Sequence, residues 1–171
     1  MHIKSHIPTQ QVNDFEIRND GDQTQLFNGQ QLIMSDRQEE SDEHAVFFSL
    51  PLHGDILITG LGVGLVNEHL ITLPDIDHVV IVEKHKEVID MVWPHCKRDD
   101  RFEIVHADAD TWEPNLWTDK ACNRFDFAWL DHWTELHDMR QKAWFDFIAE
   151  KYSKYCDLVM IWKPSFLAQK Q

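Results

Sequence analysis

The sequence predicts an α/β fold, and three observations carry that prediction. From residue 54 onward, five short apolar runs (DILITG, HVVIVE, RFEIVHAD, FDFAWLD and CDLVMIW) alternate with stretches of helical periodicity. Ile56-Leu57-Ile58 and Val79-Val80-Ile81-Val82 are apolar at every position, as strands are when helices cover both faces of a parallel sheet. The first run passes directly into Gly60-Leu61-Gly62-Val63-Gly64, the composition of a tight strand-to-helix turn. Together they describe a Rossmann-like, doubly wound, mostly parallel sheet of about five strands over residues 51–171. Residues 1–50 are expected to form a small N-terminal β-meander and a linking helix.

Each element has its own signal. Residues 14–34 alternate as DFEIRN, QTQLFN and QQLIMS, with Asp20-Gly21 and Asn28-Gly29 as turn signals between them, so a three-stranded antiparallel meander is expected. Ser35-Asp36-Arg37-Gln38 has the form of a helix start, and residues 43–50 carry enough apolar surface for a buried helix that Pro51 halts. LVNEHLITL, closed by Pro74, and KEVIDMVW, closed by Pro94, read as helices after the first and second strands. A long helical segment with Met139, Ala143, Trp144, Phe147 and Ile148 separates the last two strands.

Composition narrows the partners. A chain of 171 residues, 43% apolar with seven tryptophans, suits one folded core with a small appendage and excludes a disordered chain. Thirty acidic against sixteen basic side chains give a net charge of −14, which repels phosphate backbones, so no nucleic-acid partner is expected. No apolar run approaches the roughly 18 to 20 residues that a membrane span requires. The N-terminal MHIKSHIPTQ lacks an apolar signal core, so a cytoplasmic protein with no membrane partner is expected. Cys96, Cys122 and Cys156 have no metal-like spacing, and their odd number suits reduced thiols that serve packing.

The glycine turn is the strongest local signal, because a ligand can approach its backbone closely. Leu65 occupies the position that would complete a dinucleotide-binding GxGxxG pattern, which weakens a nicotinamide or flavin reading. The plain alternative is a tight turn with no ligand. Glu83 ends the second strand about twenty residues further on, where a carboxylate can accept hydrogen bonds from both hydroxyls of a ribose; otherwise it is a solvated residue opening the next helix. The third strand ends in His106-Ala107-Asp108-Ala109-Asp110, where an acidic side chain and backbone amides can read an adenine amino group and ring nitrogen. The competing role is a turn cap, for which Asp110 is the better placed.

In order and spacing, ILITGLGVGLV, HVVIVEKHKEVIDMV, RFEIVHADADTWEP and RFDFAWLDHW resemble the class I S-adenosylmethionine-dependent methyltransferase fold, and within it the spermidine-synthase-like branch. Ile58 before the glycines, where many methyltransferases carry an acidic residue, resembles that branch, as does FNGQQLIMSD followed by a helix. The resemblance covers residues 24–163. It implies that Gly60, Gly62, Gly64, Glu83, Asp108 and Ala109 contact the methionine, ribose and adenine parts of S-adenosylmethionine or decarboxylated S-adenosylmethionine. The departures are informative. The acidic DSxDP-like stretch that binds polyamines in the branch reads Asp131-His132-Trp133-Thr134 here, Leu32 stands where a glutamine is expected, and nothing after Trp162-Lys163-Pro164 matches the usual sixth and seventh strands. An acceptor other than a polyamine is expected.

Asp131, at the end of the fourth strand, is the first candidate for a general base or for orienting an acceptor amine or hydroxyl. Its alternatives are a helix cap or a partner for the methionine ammonium. His132 beside it is the second catalytic candidate, since histidine titrates near neutral pH. His132, Glu135, His137 and Asp138 invite a metal, yet an i,i+5 histidine spacing does not share a helical face, so a solvated loop and no metal are expected. Trp112, Trp117, Trp129, Trp133 and Trp144 suit a cation cage or a packed core, with Trp133 the one given a functional place. The run Glu39-Glu40-Ser41-Asp42-Glu43 suits attraction of a basic substrate but reads first as a solvated helix entrance, and the remaining nine histidines follow no pattern. The expected function is methyl transfer from S-adenosylmethionine to a small-molecule acceptor. The alternatives are aminopropyl transfer and a non-catalytic nucleotide-binding or oligomer-forming module, with homodimer contacts that Trp162 and Phe166 would supply beside an exposed strand edge.

Overall fold

A computed structural model of the chain describes residues 3–114, 124–132 and 138–162, the side chains of residues 138–142 excepted. Five strands, β5 (Gly54–Thr59), β6 (Ile76–Glu83), β7 (Phe102–His106), β8 (Phe125–Leu130) and β9 (Cys156–Ile161), pair in the order β7-β6-β5-β8-β9. All four pairings are parallel. The expected α/β sheet is therefore present and doubly wound, with β5 central and the order reversing between β5 and β8, where ligands bind in such sheets.

Because successive side chains of a strand point to opposite faces, each central strand feeds two cores. Ile56, Ile58, Val79, Ile81, Phe127 and Trp129 pack with α3 (Leu65–Leu70), α4 (Lys86–Val92) and the N-terminal sheet. Leu57, Val80, Val82, Ala128 and Leu130 pack with Ile148 and Tyr152 of α5 (Asp138–Ser153). The doubly apolar runs that marked these strands in the sequence are the consequence of this two-sided burial.

The N-terminal sheet has four antiparallel strands where three were expected: β1 (Gln10–Val12), β2 (Phe15–Asp20), β3 (Gln23–Asn28) and β4 (Gln31–Ser35). Strand β1 is three residues, two of them glutamine, and so has no apolar alternation to announce it. Asn13, Gly21 and Gly29 open the three hairpin loops with φ of +55°, +62° and +57°. Phe15, Ile17 and Leu26 point into the first core and dock this sheet on the larger one.

The expected linking helix is two short pieces, α1 (Gln38–Glu43) and α2 (Ala45–Phe48), broken at His44. Both the His44 backbone N–H and its ring Nδ1 engage the Glu40 carbonyl oxygen, at 3.0 and 2.8 Å, so the side chain closes off the turn it terminates. Asp36 does not cap α1. It is fully buried, and its carboxylate accepts the Ser5 N–H at 3.0 Å and the Thr24 N–H at 2.8 Å, fastening the N-terminal arm and β3 to the end of β4. Cys96 is partly buried and Cys156 fully buried, whereas Cys122 lies outside the described residues. Among the described residues no helix is long and apolar enough to cross a membrane.

Asp36→Ala should strand two buried backbone donors at once. A loss of about 2 to 4 kcal/mol in urea denaturation is expected, the scale of removing a charged acceptor from buried amides. A loss below about 0.5 kcal/mol would mean that the Asp36 contacts do not hold this sheet.

Candidate functional site

A cavity of about 600 Å³ lies at the carboxyl ends of β5, β6 and β8, roofed by the N-terminal sheet. Its size is within the range of about 300 to 1,000 Å³ usual for small-ligand sites. Gly60, Gly62, Glu83, Asp108, Ala109, Asp131 and His132, all singled out in the sequence, border it. Gly64 does not: it is the N-cap of α3, with φ +77°, and stands against Cys96 Sγ.

The glycines are first of all demanded by packing. A Cβ on Gly60 would lie 2.0 Å from the Asp131 carbonyl oxygen, and one on Gly62 would lie 2.0 Å from Met34 Sδ. The turn thus runs against β8's end on one side and β4 on the other. Glu83 then fixes it: Oε2 accepts the Leu61 N–H at 2.9 Å and Oε1 accepts the His85 N–H at 2.8 Å, with the side chain almost fully buried. Each oxygen keeps lone-pair capacity, so the carboxylate can accept from two vicinal hydroxyls as well as from the turn it braces.

The turn-closing role expected of Asp110 falls to Asp108. Asp108 Oδ1 accepts the Asp110 N–H at 3.0 Å, making it the turn-closing residue, and its other oxygen pairs with Lys84 Nζ at 2.7 Å. The hydrogen bond from Lys84 holds the Asp108 carboxyl below its ordinary range and raises the lysine. Asp110 instead accepts from His132 Nε2 at 3.2 Å and from Trp144 Nε1 at 3.1 Å, and the His132 contact lowers its carboxyl. The loop is anchored from behind by Lys151, which donates to the Ala109 and Asp110 carbonyls at 2.9 and 3.0 Å, and by the Tyr152 hydroxyl on the Ala109 carbonyl at 2.8 Å. Burial pulls the Lys151 ammonium down and pushes the Tyr152 phenol up.

His132 is held at both ring nitrogens. Nε2 faces Asp110, and Nδ1 lies 2.5 Å from the Thr59 hydroxyl, whose oxygen also accepts the Asp131 N–H at 3.2 Å. The consistent assignment is Nε2–H donating to Asp110 and Thr59 O–H donating to Nδ1. The ring therefore offers the cavity a face, with its lone pair already used. Asp131 is engaged differently: Oδ2 meets His44 Nε2 at 3.0 Å. His44 is 1% exposed and ringed by Phe48, Trp129 and Trp162.

Sequence reasoning missed His44 and Glu40. Glu40 borders the cavity, and burial, then the neighbouring Glu43, raises its carboxyl, so the acidic run is not wholly a solvated helix entrance. His44, at the end of that run, belongs to no motif. Trp129, Trp144 and Trp162 also border the cavity, Trp162 by stacking on His44. Trp117, Trp133, Glu135, His137 and Phe166, and the side chain of Asp138, lie outside the described residues.

The fold has clear structural counterparts. A protein named as an RNA methyltransferase from Pyrococcus horikoshii superposes with a TM-score of 0.50 at 18% identity, over 76% of this chain and 60% of that one. The chain has the class I methyltransferase fold. Spermidine synthase from Thermotoga maritima matches with a TM-score of 0.49 at 16% identity over 90% of this chain and 64% of that one. A dimethyladenosine transferase from Plasmodium falciparum matches at 0.42 and 16% over 64% and 36%. The chain thus spans less than two thirds of each of these proteins. No protein-family model matches it. No curated protein matches its sequence.

Within this methyltransferase fold the two turn glycines should respond differently to alanine. At Gly60 the obstacle is backbone, so Gly60→Ala should cost more than about 3 kcal/mol. At Gly62 it is a thioether, so Met34→Ala should recover at least about 1 kcal/mol of the Gly62→Ala loss in a double-mutant cycle. Additive losses would mean that Met34 does not press on the turn.

Proposed function

We propose that the chain is an S-adenosylmethionine-dependent methyltransferase acting on a small-molecule acceptor. The observation that carries this reading is one cavity at the β5/β8 switch point on which the glycine turn, Glu83, Asp108, Ala109 and Asp131 all converge. The fold alone does not assign a reaction, so the assignment rests on this site.

In this reading Glu83 holds the ribose hydroxyls. Leu61 and His85 already orient its carboxylate, which reduces the ordering that binding would cost. The Asp108–Ala109 segment lies along the adenine, immobilised by Lys151 and Tyr152. A bound S-adenosyl sulfonium supplies an electrophilic carbon to a nucleophile held in line. Asp131 orients that nucleophile or a cationic group beside it, and the aromatic walls Trp129, Trp144 and Trp162 exclude water from the reacting centre. His132 braces Asp110 against Thr59 and shapes the wall.

A structural counterpart is named for RNA, but a net charge of −14 works against gathering a phosphate backbone. A small acceptor accords better with a roofed cavity. Aminopropyl transfer is the second reading, favoured by the N-terminal sheet, whose Phe15, Leu26, Ile33 and Met34 form part of the cavity wall.

Thermal melts separate these readings. S-adenosylhomocysteine should raise Tm in a concentration-dependent way and NAD should not. Stabilisation by decarboxylated S-adenosylmethionine and methylthioadenosine in preference to S-adenosylhomocysteine would favour aminopropyl transfer, and no response to any of them would remove the adenosyl reading. Glu83→Ala should weaken S-adenosylhomocysteine by about 1.5 to 3 kcal/mol. Because Glu83 also braces the turn, the ligand-free protein should itself lose about 1 to 3 kcal/mol in urea denaturation.

A further inference from the structure

The His44–Asp131 contact carries an inference that rests on the proposed transfer site and specifies one of its parts. His44 Nδ1 lies 2.8 Å from the Glu40 carbonyl oxygen, which can only accept, so Nδ1 carries a proton. Nε2 lies 3.0 Å from Asp131 Oδ2, and a hydrogen bond there needs a second proton. Placed on the imidazole, the more basic of the two groups, that proton makes both nitrogens donors, the ring an imidazolium and its partner a carboxylate. The environment is consistent: burial pulls His44 down, but the Asp131 hydrogen bond and charge, with the Glu40 carbonyl, outweigh it and the net direction is up. Asp131 borders the cavity, and its other oxygen, Oδ1, has no hydrogen-bond partner among the described residues.

We propose that His44 is a positioning residue of the site: as a doubly hydrogen-bonded imidazolium it fixes the Asp131 carboxylate through Oδ2 and leaves Oδ1 to the cavity as an anchor for a positively charged reactant. Its surroundings allow this charge state to depend on one pair. The groups packed on the ring from other elements are Trp129, Trp162 and Phe48, all uncharged. His69 of α3 lies beyond Phe48, and burial lowers it, which keeps it neutral. The charged groups acting on His44 are Asp131 at the end of β8 and Glu40 on α1.

The sign of the pH dependence follows. A histidine raised in the folded protein contributes stability that is fully present below its unfolded value and is lost as pH rises through the raised folded value. Anchoring by an ordered Asp131 should be lost over the same upper interval, as the imidazolium gives up the Nε2 proton and two lone pairs are left facing each other.

The test has two arms, so that this inference and the proposed function can fail separately. Ligand-free protein selectively labelled with ¹⁵N-histidine is titrated by NMR. His44 should show two protonated nitrogens at pH 7 and titrate above the ordinary histidine range, and in Asp131→Asn its titration should move down, because burial is then opposed by Glu40 alone. A neutral His44 at pH 7 in the wild type, or titration unmoved by Asp131→Asn, would overturn the proposal whatever the ligand. In the second arm S-adenosylmethionine, which is cationic at sulfur, and neutral methylthioadenosine are titrated by calorimetry. His44→Phe, which keeps a stacking ring, should weaken S-adenosylmethionine roughly ten- to a hundredfold while methylthioadenosine stays within about threefold. His44→Gln, which retains a neutral donor, should recover part of that affinity with a flat pH profile. Equal losses for both ligands would reveal a merely structural residue and overturn the proposal. Failure of both ligands to bind the wild type would sink the adenosyl reading and with it the anchor, while the NMR arm would still decide the protonation of His44.

Discussion

The site depends on the approach of two backbone segments that a single Cβ would prevent. Gly60 N–H donates to the Val82 carbonyl at 2.8 Å, Asp131 N–H donates to the Thr59 carbonyl at 2.9 Å, and the Asp131 carbonyl lies over the Gly60 Cα. The ends of β5, β6 and β8 are thereby drawn into one junction. That junction decides which side chains can meet: Glu83 reaches the turn from one flank, and Asp131 and His132 are delivered from the other. A central strand flanked on both sides by parallel neighbours is what makes the junction possible, and the doubly apolar runs are what make the strands central.

This has a consequence for reading glycine-rich turns. Gly60, Gly62 and Gly64 abut the Asp131 carbonyl, Met34 and Cys96 respectively, so each has a packing partner before any ligand is considered. The motif accordingly specifies the fold more strongly than it specifies a ligand. What points to a ligand is the convergence of acceptors on one cavity, with Glu83 keeping hydrogen-bonding capacity after its structural work is done.

The same distinction explains what the sequence made legible. The five-stranded sheet was readable because its information is local: apolar periodicity within six to eight residues in four of its strands and five in β7. Glu83 and Asp131 were readable because strand ends locate them. His44 was not, because its partner is 87 residues away and a lone histidine beside an acidic run has no pattern. That Asp108 and not Asp110 closes the turn was also invisible, since it depends on which way each side chain leaves the loop, and that is decided by Lys84, His132 and Trp144 from three other segments. Strand β1 escaped for the opposite reason: its pairing with β2 is backbone hydrogen bonding that imposes little on side-chain identity.

Residues 34–44 tie these threads together. Met34 presses on the glycine turn, Asp36 fastens the N-terminal arm and β3 to the end of β4, Glu40 borders the cavity, and His44 grips Asp131. One short stretch of chain therefore supplies a roof contact, the lock that holds the roof down, and the partner of the central carboxylate. Helix α1 is only six residues long and has no side-chain N-cap, so it draws little stability from its own hydrogen bonds and depends on what it is anchored to at each end. Those anchors are Asp36 before it and the His44–Asp131 pair after it. Loosening either one acts on the roof and on Asp131 together, which makes the N-terminal sheet part of the site's working structure and couples the electrostatics of the cavity to the docking of a sheet that lies outside the five-stranded core.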